Sequence, residues 1–338
     1  MSHDTAATHP VRPADLSWRP LTPADIDAWV DLLAAIEAAD ATGEHVDAEQ
    51  LAERLENSYI DFPRGSLAAF DRAGAMLAYC YLQARTAAEP VHELRMEGGV
   101  HPAHRGLGLG SRLLDWVEQA ARPLHEERFP GRPLNIDGNS LSGNVGAEQL
   151  FADHGYHQAR WFNDMRRDVD GPLPEASLPA GVVVHSFTPE RSEDARLIRN
   201  EAFRDHWGST ESSPESWAQL TAGSAFRPEL TLVAYEAGAD GTEGEPLALV
   251  LCEEFEAHRR ATGRRDLYIA LVGTRRIGRK RGLASALLCH VLWQARTEGL
   301  ESASLGVDAD SPTGALGLYE RLGFRADQVW AAQLKSLA

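Results

Sequence analysis

Two short stretches of this chain join an arginine to closely spaced small residues at the head of an apolar helical stripe: Arg105-Gly106-Leu107-Gly108-Leu109-Gly110 and Arg279-Lys280-Arg281-Gly282-Leu283-Ala284. Both read RxxGx(G/A). Glycine after a strand lets the backbone turn tightly, so successive amides point into a concavity at the positive end of the following helix. Such a turn suits a pyrophosphate, and the leading arginine adds a charge-assisted contact. Gly108 and Gly282 stand where a side chain would hold phosphates off the amides. A purely structural strand-to-helix turn has the same appearance, and a dinucleotide-binding turn competes with it. The dinucleotide reading needs GxGxxG, a spacing that Gly106-Leu107-Gly108-Leu109-Gly110 lacks.

A second matched block trails each turn. Ala147, Phe151, Gly155 and Tyr156 in the first half answer to Ala315, Tyr319, Gly323 and Phe324 in the second. Arg105 and Arg279 lie 174 residues apart, a period of whole domains rather than of a solenoid, so the chain is an internal duplication. Its halves differ at one chemically decisive place: the Tyr319 phenol can give up a proton, whereas Phe151 has none to give. A core aromatic on a helix is the plain alternative for Tyr319. Among groups able to take a proton, Glu97 precedes Arg105 by eight residues, but its counterpart Leu271 is apolar. Glu253, Glu254 and Glu256 follow the apolar run Leu247 to Leu251, with Glu254 and Glu256 turned to one face by alternation. Glu254 is the candidate base; a solvated strand end accounts for these residues equally well. The segment Asn200 to Ser209 is dense in polar and aromatic groups, and His206 and Trp207 are its candidate ligand contacts, with a local structural contact for His206 and plain packing for Trp207 as the alternatives.

The elements that must position these groups recur in the same order. In the first half, strands are expected at Trp18 to Pro20, Leu67 to Phe70, Met76 to Leu82, Glu93 to Val100 and Asn135 to Asp137. Thr22 and Pro23 open an early helix; Leu109 to Ala121 is a helix with Leu109, Leu113, Leu114, Val117 and Ala120 on one face, and Val145 to Asp153 is another. The second half repeats this with strands at Val182 to His185, Leu230 to Tyr235, Leu247 to Glu254, Leu267 to Thr274 and Ser302 to Val307. Its helices are expected at Ser192 to Arg204, at Leu283 to Ala295 with Gly299 as the stop, and at Thr313 to Arg321. Residues 170–181 are dense in proline and glycine and mark the boundary. The expected division is a mobile tail over 1–14, a first domain over 15–169, the linker 170–181 and a second domain over 182–338.

With 338 residues, each half can bury a core of its own. The sequence shows no run of eighteen apolar residues and no signal-peptide pattern at its start, so a cytoplasmic protein with no membrane partner is expected. A net charge of −17 disfavours a nucleic-acid partner. Cys80, Cys252 and Cys289 form neither a complete disulfide framework nor a metal cluster, so no metal is expected.

Val100-His-Pro102-Ala-His-Arg105-Gly-Leu-Gly-Leu-Gly110 and Ser304 to Phe324, taken together, resemble the GNAT superfamily of N-acetyltransferases, and the likeness covers both halves. The resemblance implies an α/β (α+β) fold of two tandem GNAT-like domains, each with a mixed, mainly antiparallel sheet flanked by helices. It implies acetyl-CoA as cofactor, its pyrophosphate held by Arg105 to Gly110 and by Arg279 to Ala284. It also implies that Gly98, Gly99 and Val100, and Val272, Gly273 and Thr274, carry the strand amides that face the thioester. Tyr319 then becomes the general acid that protonates the leaving thiolate, and the segment holding His206 and Trp207 becomes the acceptor wall. Tandem GNAT chains of the mycothiol synthase type have a catalytic C-terminal copy and a degenerate N-terminal one, which makes the second half the expected seat of acetyl transfer to a primary amine of a small molecule. A monomer is expected, the duplication supplying within one chain the contact that single-domain relatives make as dimers. A non-catalytic acyl-CoA sensor is the alternative. Two departures stand out: Ala284 replaces the last glycine, and Thr274-Arg275-Arg276 replaces the Val100-His101-Pro102 of the first half.

Overall fold

In a computed structural model the described residues are 13–85, 88, 91–204, 206–207, 209–238, 242–311 and 314–337. Of the expected tail over residues 1–14, residues 1–12 lie outside them, as does Thr313 at the start of an expected helix; Pro13–Asp15 form a short 3-10 turn. The chain forms two compact units that are not continuous in sequence. One holds the residues through Gly138, Gly146–His157 and Leu334–Ala338; the other holds Asn139–Val145 and Gln158–Gln333.

The first unit is built from β1 (Ser17–Arg19), α1 (Ile26–Asp40), α2 (Ala48–Leu55), α3 (Phe62–Gly65), β2 (Ser66–Phe70), β3 (Met76–Ala84), β4 (His92–Val100), α4 (Leu109–Arg128), and most of β5 (Leu134–Leu141) and α5 (Val145–Asp153). Its strands lie in the order β1-β2-β3-β4-β5, antiparallel except for the parallel β4–β5 pair. Local chemistry starts the helices: the Asp47 carboxylate accepts from the Gln50 amide at 3.0 Å while the Gln50 side chain accepts from the Asp47 amide at 3.1 Å, a closed capping box on α2. The sheet separates two apolar layers. Leu94, Met96, Leu113, Val117 and Ile136 pack under α4, and Trp29, Leu32, Tyr79 and Tyr81 pack under α1. The helix α4 runs seven residues past its expected end and through Pro123. Leu124 and His125 are buried and continue the apolar stripe, which outweighs the hydrogen bond that proline cannot make.

The second unit comprises β6 (His157–Asp168), β7 (Val182–Ser186), α6 (Ser192–Phe203), α7 (Pro214–Ala222), β8 (Leu232–Ala237), β9 (Glu243–Glu253), α8 (Glu256–Thr262), β10 (Asp266–Thr274), α9 (Leu283–Thr297), β11 (Ser302–Asp308), α10 (Ala315–Arg321) and most of β12 (Arg325–Leu337). Its strand order is β12-β6-β11-β10-β9-β8-β7. Leu267, Ile269, Leu287, Val291, Leu292 and Leu305 fill the layer beneath α9, and Ile198, Trp217, Val233, Leu249 and Leu251 fill the layer beneath α6 and α7. The segment between β6 and β7 is irregular and is pinned within this unit: Trp293 donates to the Pro174 carbonyl at 2.8 Å, Arg296 Nε donates to the Val169 carbonyl at 2.6 Å, and Leu173 and Ala176 pack on the core. The strand β6 precedes that segment in sequence, yet it pairs antiparallel with β11 from Phe162 against Asp308 to Asp168 against Ser302. In the first unit the final residues hold corresponding contacts, with Lys335 Nζ donating to the His154 carbonyl at 2.6 Å and Ser336 Oγ to Asn135 at 2.8 Å.

Candidate active site

The two glycine turns have the same backbone. Arg105 (φ −68°, ψ 155°) and Arg279 (φ −65°, ψ 153°) are extended, Gly106 and Lys280 both take positive φ (74° and 63°), and Gly108 and Gly282 cap α4 and α9 in the left-handed region at φ 83° and 79°. A lysine accepting positive φ, where the first turn uses glycine, shows that the conformation is imposed by the loop as a whole. The first amides of each helix have no acceptor within the helix and carry the positive end of its dipole. Open space lies over Gly282, where an added Cβ would meet no atom within 4 Å. At Gly110 an added Cβ would come within 2.7 Å of Leu150 Cδ2, and Ala284 holds the same place in the second turn.

Their charge differs. Arg105 is held in a bidentate ion pair by Asp40 at the end of α1, both contacts being 2.7 Å. Arg279 reaches only the Thr274 carbonyl, at 3.4 Å, and neither it nor Lys280 has a carboxylate partner among the described residues. Arg281 is taken by Glu236 at 2.6 Å and Arg275 by Glu201 at 2.7 Å. The second turn therefore offers two uncommitted cations to an anion, and the first has its arginine already neutralised.

Ahead of each turn the parallel strands part. The β4–β5 pairing covers His92–Arg95 with Leu134–Asp137, and the β10–β11 pairing covers Asp266–Tyr268 with Ser302–Ser304. Beyond those points, among the described residues, β4 bonds on with β3 and β10 with β9. The edges carrying Gly98, Gly99 and Val100, and Val272, Gly273 and Thr274, are thus open on one side, which leaves backbone groups to receive a ligand carbonyl. A bulge between Ile269 and Leu271 distinguishes β10 from β4.

Tyr319 sits on α10 at 7% exposure, its ring edge-on to Phe324 at 6.0 Å. Burial pushes its phenol up to about 12, so it stays protonated through the neutral range. The counterpart pair in the first unit is Phe151 and Tyr156, also edge-on, at 5.3 Å. The hydroxyl has changed places between the two packed rings, and in the first unit it ends as a buried oxygen without a hydrogen-bond partner among the described residues.

The acceptor candidates are dispersed. Glu254 lies at the end of β9, where Arg265 binds it through Nε at 2.6 Å and Nη2 at 2.9 Å while Arg227 makes a further short ion pair. Both of its oxygens are thus engaged by guanidiniums. In the first unit, Tyr81 donates a short hydrogen bond to Glu97, and Arg54 lies 3.4 Å from it. The His206 ring lies tilted against the Phe203 ring, with centroids 4.7 Å apart. Trp207 lies 6.1 Å from the Phe162 ring and 5.7 Å from the Arg160 guanidinium, which is itself bonded to Asp308 at 2.7 Å. Trp207 thus packs on the face of β6 that carries Arg160 and Phe162. Sequence reasoning missed that face, because Arg160, Phe162, Asp164, Arg166 and Asp168 fall before the proline-rich segment and were assigned to the first domain. Their alternation with Met165 was the available signal.

The acetyltransferase (GNAT) family profile matches residues 30–129 and 193–324. The chain is 29% identical over 301 residues to a mycothiol acetyltransferase of Salinispora tropica, covering 88% of each chain. It is 32% identical over 231 residues to the mycothiol acetyltransferase of Thermobispora bispora, covering 67% of this chain and 70% of that one. Among solved structures, a GCN5-related N-acetyltransferase from Sphaerobacter thermophilus superposes with a TM-score of 0.73 at 27% identity, over 96% of this chain and 97% of that chain. A tandem GNAT protein from the clavulanic acid biosynthesis pathway shares the fold, with a TM-score of 0.69 at 16% identity over 95% and 98%. Among the described residues, no helix is long and apolar enough to cross a membrane.

Proposed function

Because the chain belongs to the GNAT acetyltransferase family, we propose that it transfers an acetyl group from acetyl-CoA to a primary amine of a small molecule, with the chemistry in the second unit. The observation that carries this reading is the asymmetry of the two turns: one backbone, with Arg279 and Lys280 uncommitted in the second and Arg105 tied to Asp40 in the first. On this reading Arg279 to Ala284 hold the coenzyme pyrophosphate, and the open edge of β10 at Val272 to Thr274 receives the thioester carbonyl. Bound acetyl-CoA supplies the activated acyl group. The neutral amine attacks the carbonyl carbon, the C–S bond breaks, and Tyr319, protonated at working pH, gives its proton to the departing sulfur. Glu254, expected as base, is tied to Arg227 and Arg265, so the amine is served by a different carboxylate or by water. The first unit, with Phe151 in place of the acid, acts as a coenzyme-binding or structural partner. The names of the curated relatives support a small-molecule acceptor, and a monomer in the cytoplasm is part of the same reading.

The test is calorimetric titration of acetyl-CoA into wild type, Gly108→Trp and Gly282→Trp, followed by thiol release assayed with amino sugars, aminoglycosides, cysteinyl glycosides and lysine peptides. Binding lost in Gly282→Trp, with amine-dependent thiol release in wild type, is the expected result. Absence of coenzyme binding, or binding without release for every amine class, removes the proposal.

A further inference from the structure

We propose that Asp164 is the carboxylate that holds the acceptor's ammonium group in the second unit, an assignment that rests on the amine acetyltransferase reading. The strand register places Asp164 opposite Gly306 on β11. Met165, Leu305 and Val307 belong to the core beneath α9, so Asp164 and Gly306 face the other way, toward the side on which Trp207 packs. Gly306 lies two residues beyond Ser304, the last β11 residue paired with β10, and so stands in the opening between these strands.

Two polar groups converge over that glycine. A Cβ built on Gly306 would lie 3.5 Å from Asp164 Oδ1 and 3.7 Å from the Tyr268 phenol oxygen. Asp164 Oδ2 accepts from Trp330 Nε1 at 2.7 Å, while Oδ1, the oxygen turned to Gly306, accepts no hydrogen bond among the described residues. The nearest arginine on the same strand face is engaged elsewhere: Arg166 binds Asp266 at 2.9 Å and lies 3.6 Å from Asp327. Asp164 is thus a half-buried carboxylate with one oxygen positioned by an indole and, among the described residues, no hydrogen bond on the other and no ion pair. Burial is the main force pushing its pKa up, Asp327 pushes the same way, and the Trp330 N–H and Arg166 pull it back. A cation at Oδ1 relieves that strain. The surroundings favour an organic ammonium over a metal ion: Trp330 bonds the carboxylate, Tyr268 flanks the spot, and Phe162, two residues along the same strand face, carries Trp207. Aromatic rings around one anionic oxygen attract a cation while covering its hydrocarbon part.

The experiment follows the indole N–H resonance of Trp330 in the full-length, nitrogen-15-labelled protein, assigned by its loss in Trp330→Phe. The probes are n-butylammonium and its neutral analogue n-butanol, applied to wild type, Asp164→Asn and the nearby control Asp327→Asn. The expected result is a saturable shift with the ammonium alone, weakened about tenfold or more in Asp164→Asn and little changed in Asp327→Asn. No ammonium-specific shift in wild type, or an equal one in Asp164→Asn, overturns the assignment. Turnover separates this inference from the function it rests on. Ammonium binding at Asp164 without amine-dependent thiol release would remove the acetyltransferase reading and leave the site, whereas release with unchanged kcat/KM in Asp164→Asn would remove the assignment and leave the reading.

Discussion

The hydroxyl that separates Tyr319 from Phe151 is a single oxygen, and its consequences can be measured directly. Tyr319→Phe should lower kcat by roughly 10²- to 10⁴-fold, the usual contribution of a positioned proton donor, without weakening coenzyme binding. Since burial pushes the phenol up to about 12, the variant should lower the whole pH–rate curve and leave its limbs in place below that pH. A limb that moved with the mutation would show that Tyr319 titrates in the working range, against its burial. A second buried group gives a stability prediction. Asp137, 3% exposed, has its carboxyl raised to about 6, chiefly by burial and against the pull of Arg95 and Arg85. The folded state therefore holds that proton more tightly than the unfolded one, and stability falls as pH rises from about 4 to about 6. Asp137→Asn should raise stability at pH 7 by about 3 kcal/mol, two pKa units' worth, and change it little at pH 4. Denaturant titrations at the two pH values measure the difference.

At the scale of elements, each turn is one strand end, one loop and one helix N-terminus acting together, and the two respond differently to substitution. Gly282→Val meets open space but must hold φ near 79°, so it should cost about 1–2 kcal/mol of stability and abolish coenzyme binding at the second turn. In the first turn the Arg105–Asp40 pair competes with a phosphate for the same guanidinium. Asp40→Ala, made in the Gly282→Val background so that only the first turn reports, should strengthen acetyl-CoA binding several-fold. Unchanged or weaker binding by calorimetry would mean that Asp40 orients Arg105 for the ligand. The extension of α4 through Pro123 makes the same point structurally, since a buried stripe overrode the residue that favours a break.

For the whole molecule, the compact units do not follow the order of the chain. The strand β6 lies before residues 170–181 and packs against β11, while the last residues of β12 count with the first unit. A fragment of residues 182–338 should therefore expose the β11 edge and aggregate, because an unpaired strand edge is a template for association. Extending the fragment back to residue 157 restores β6 and should recover a soluble, cooperatively unfolding species. Removing residues 334–338 from the full chain should lower the stability of the first unit through loss of the Lys335 bonds to His154 and Glu118 and of buried Leu337. Equal solubility of the two fragments, or an unchanged thermal profile on truncation, would contradict this account.

The sequence by itself determined the duplication, the strand–turn–helix context of both turns and the phenol that sets Tyr319 apart from Phe151. These are local: glycine spacing, helical period and residue identity express backbone preference and side-chain chemistry without reference to distant neighbours. It also determined the strands and helices next to those turns, but not β6 or β12. Only the tertiary structure decided which charges are free. Asp40 meets Arg105 and Glu254 meets Arg227 and Arg265 across separations that no period encodes. Only the tertiary structure placed Asp164 opposite Gly306, because strand register is set by cross-strand pairing and burial, and the proline-rich segment that looked like a domain boundary gives no sign of where the preceding strand pairs.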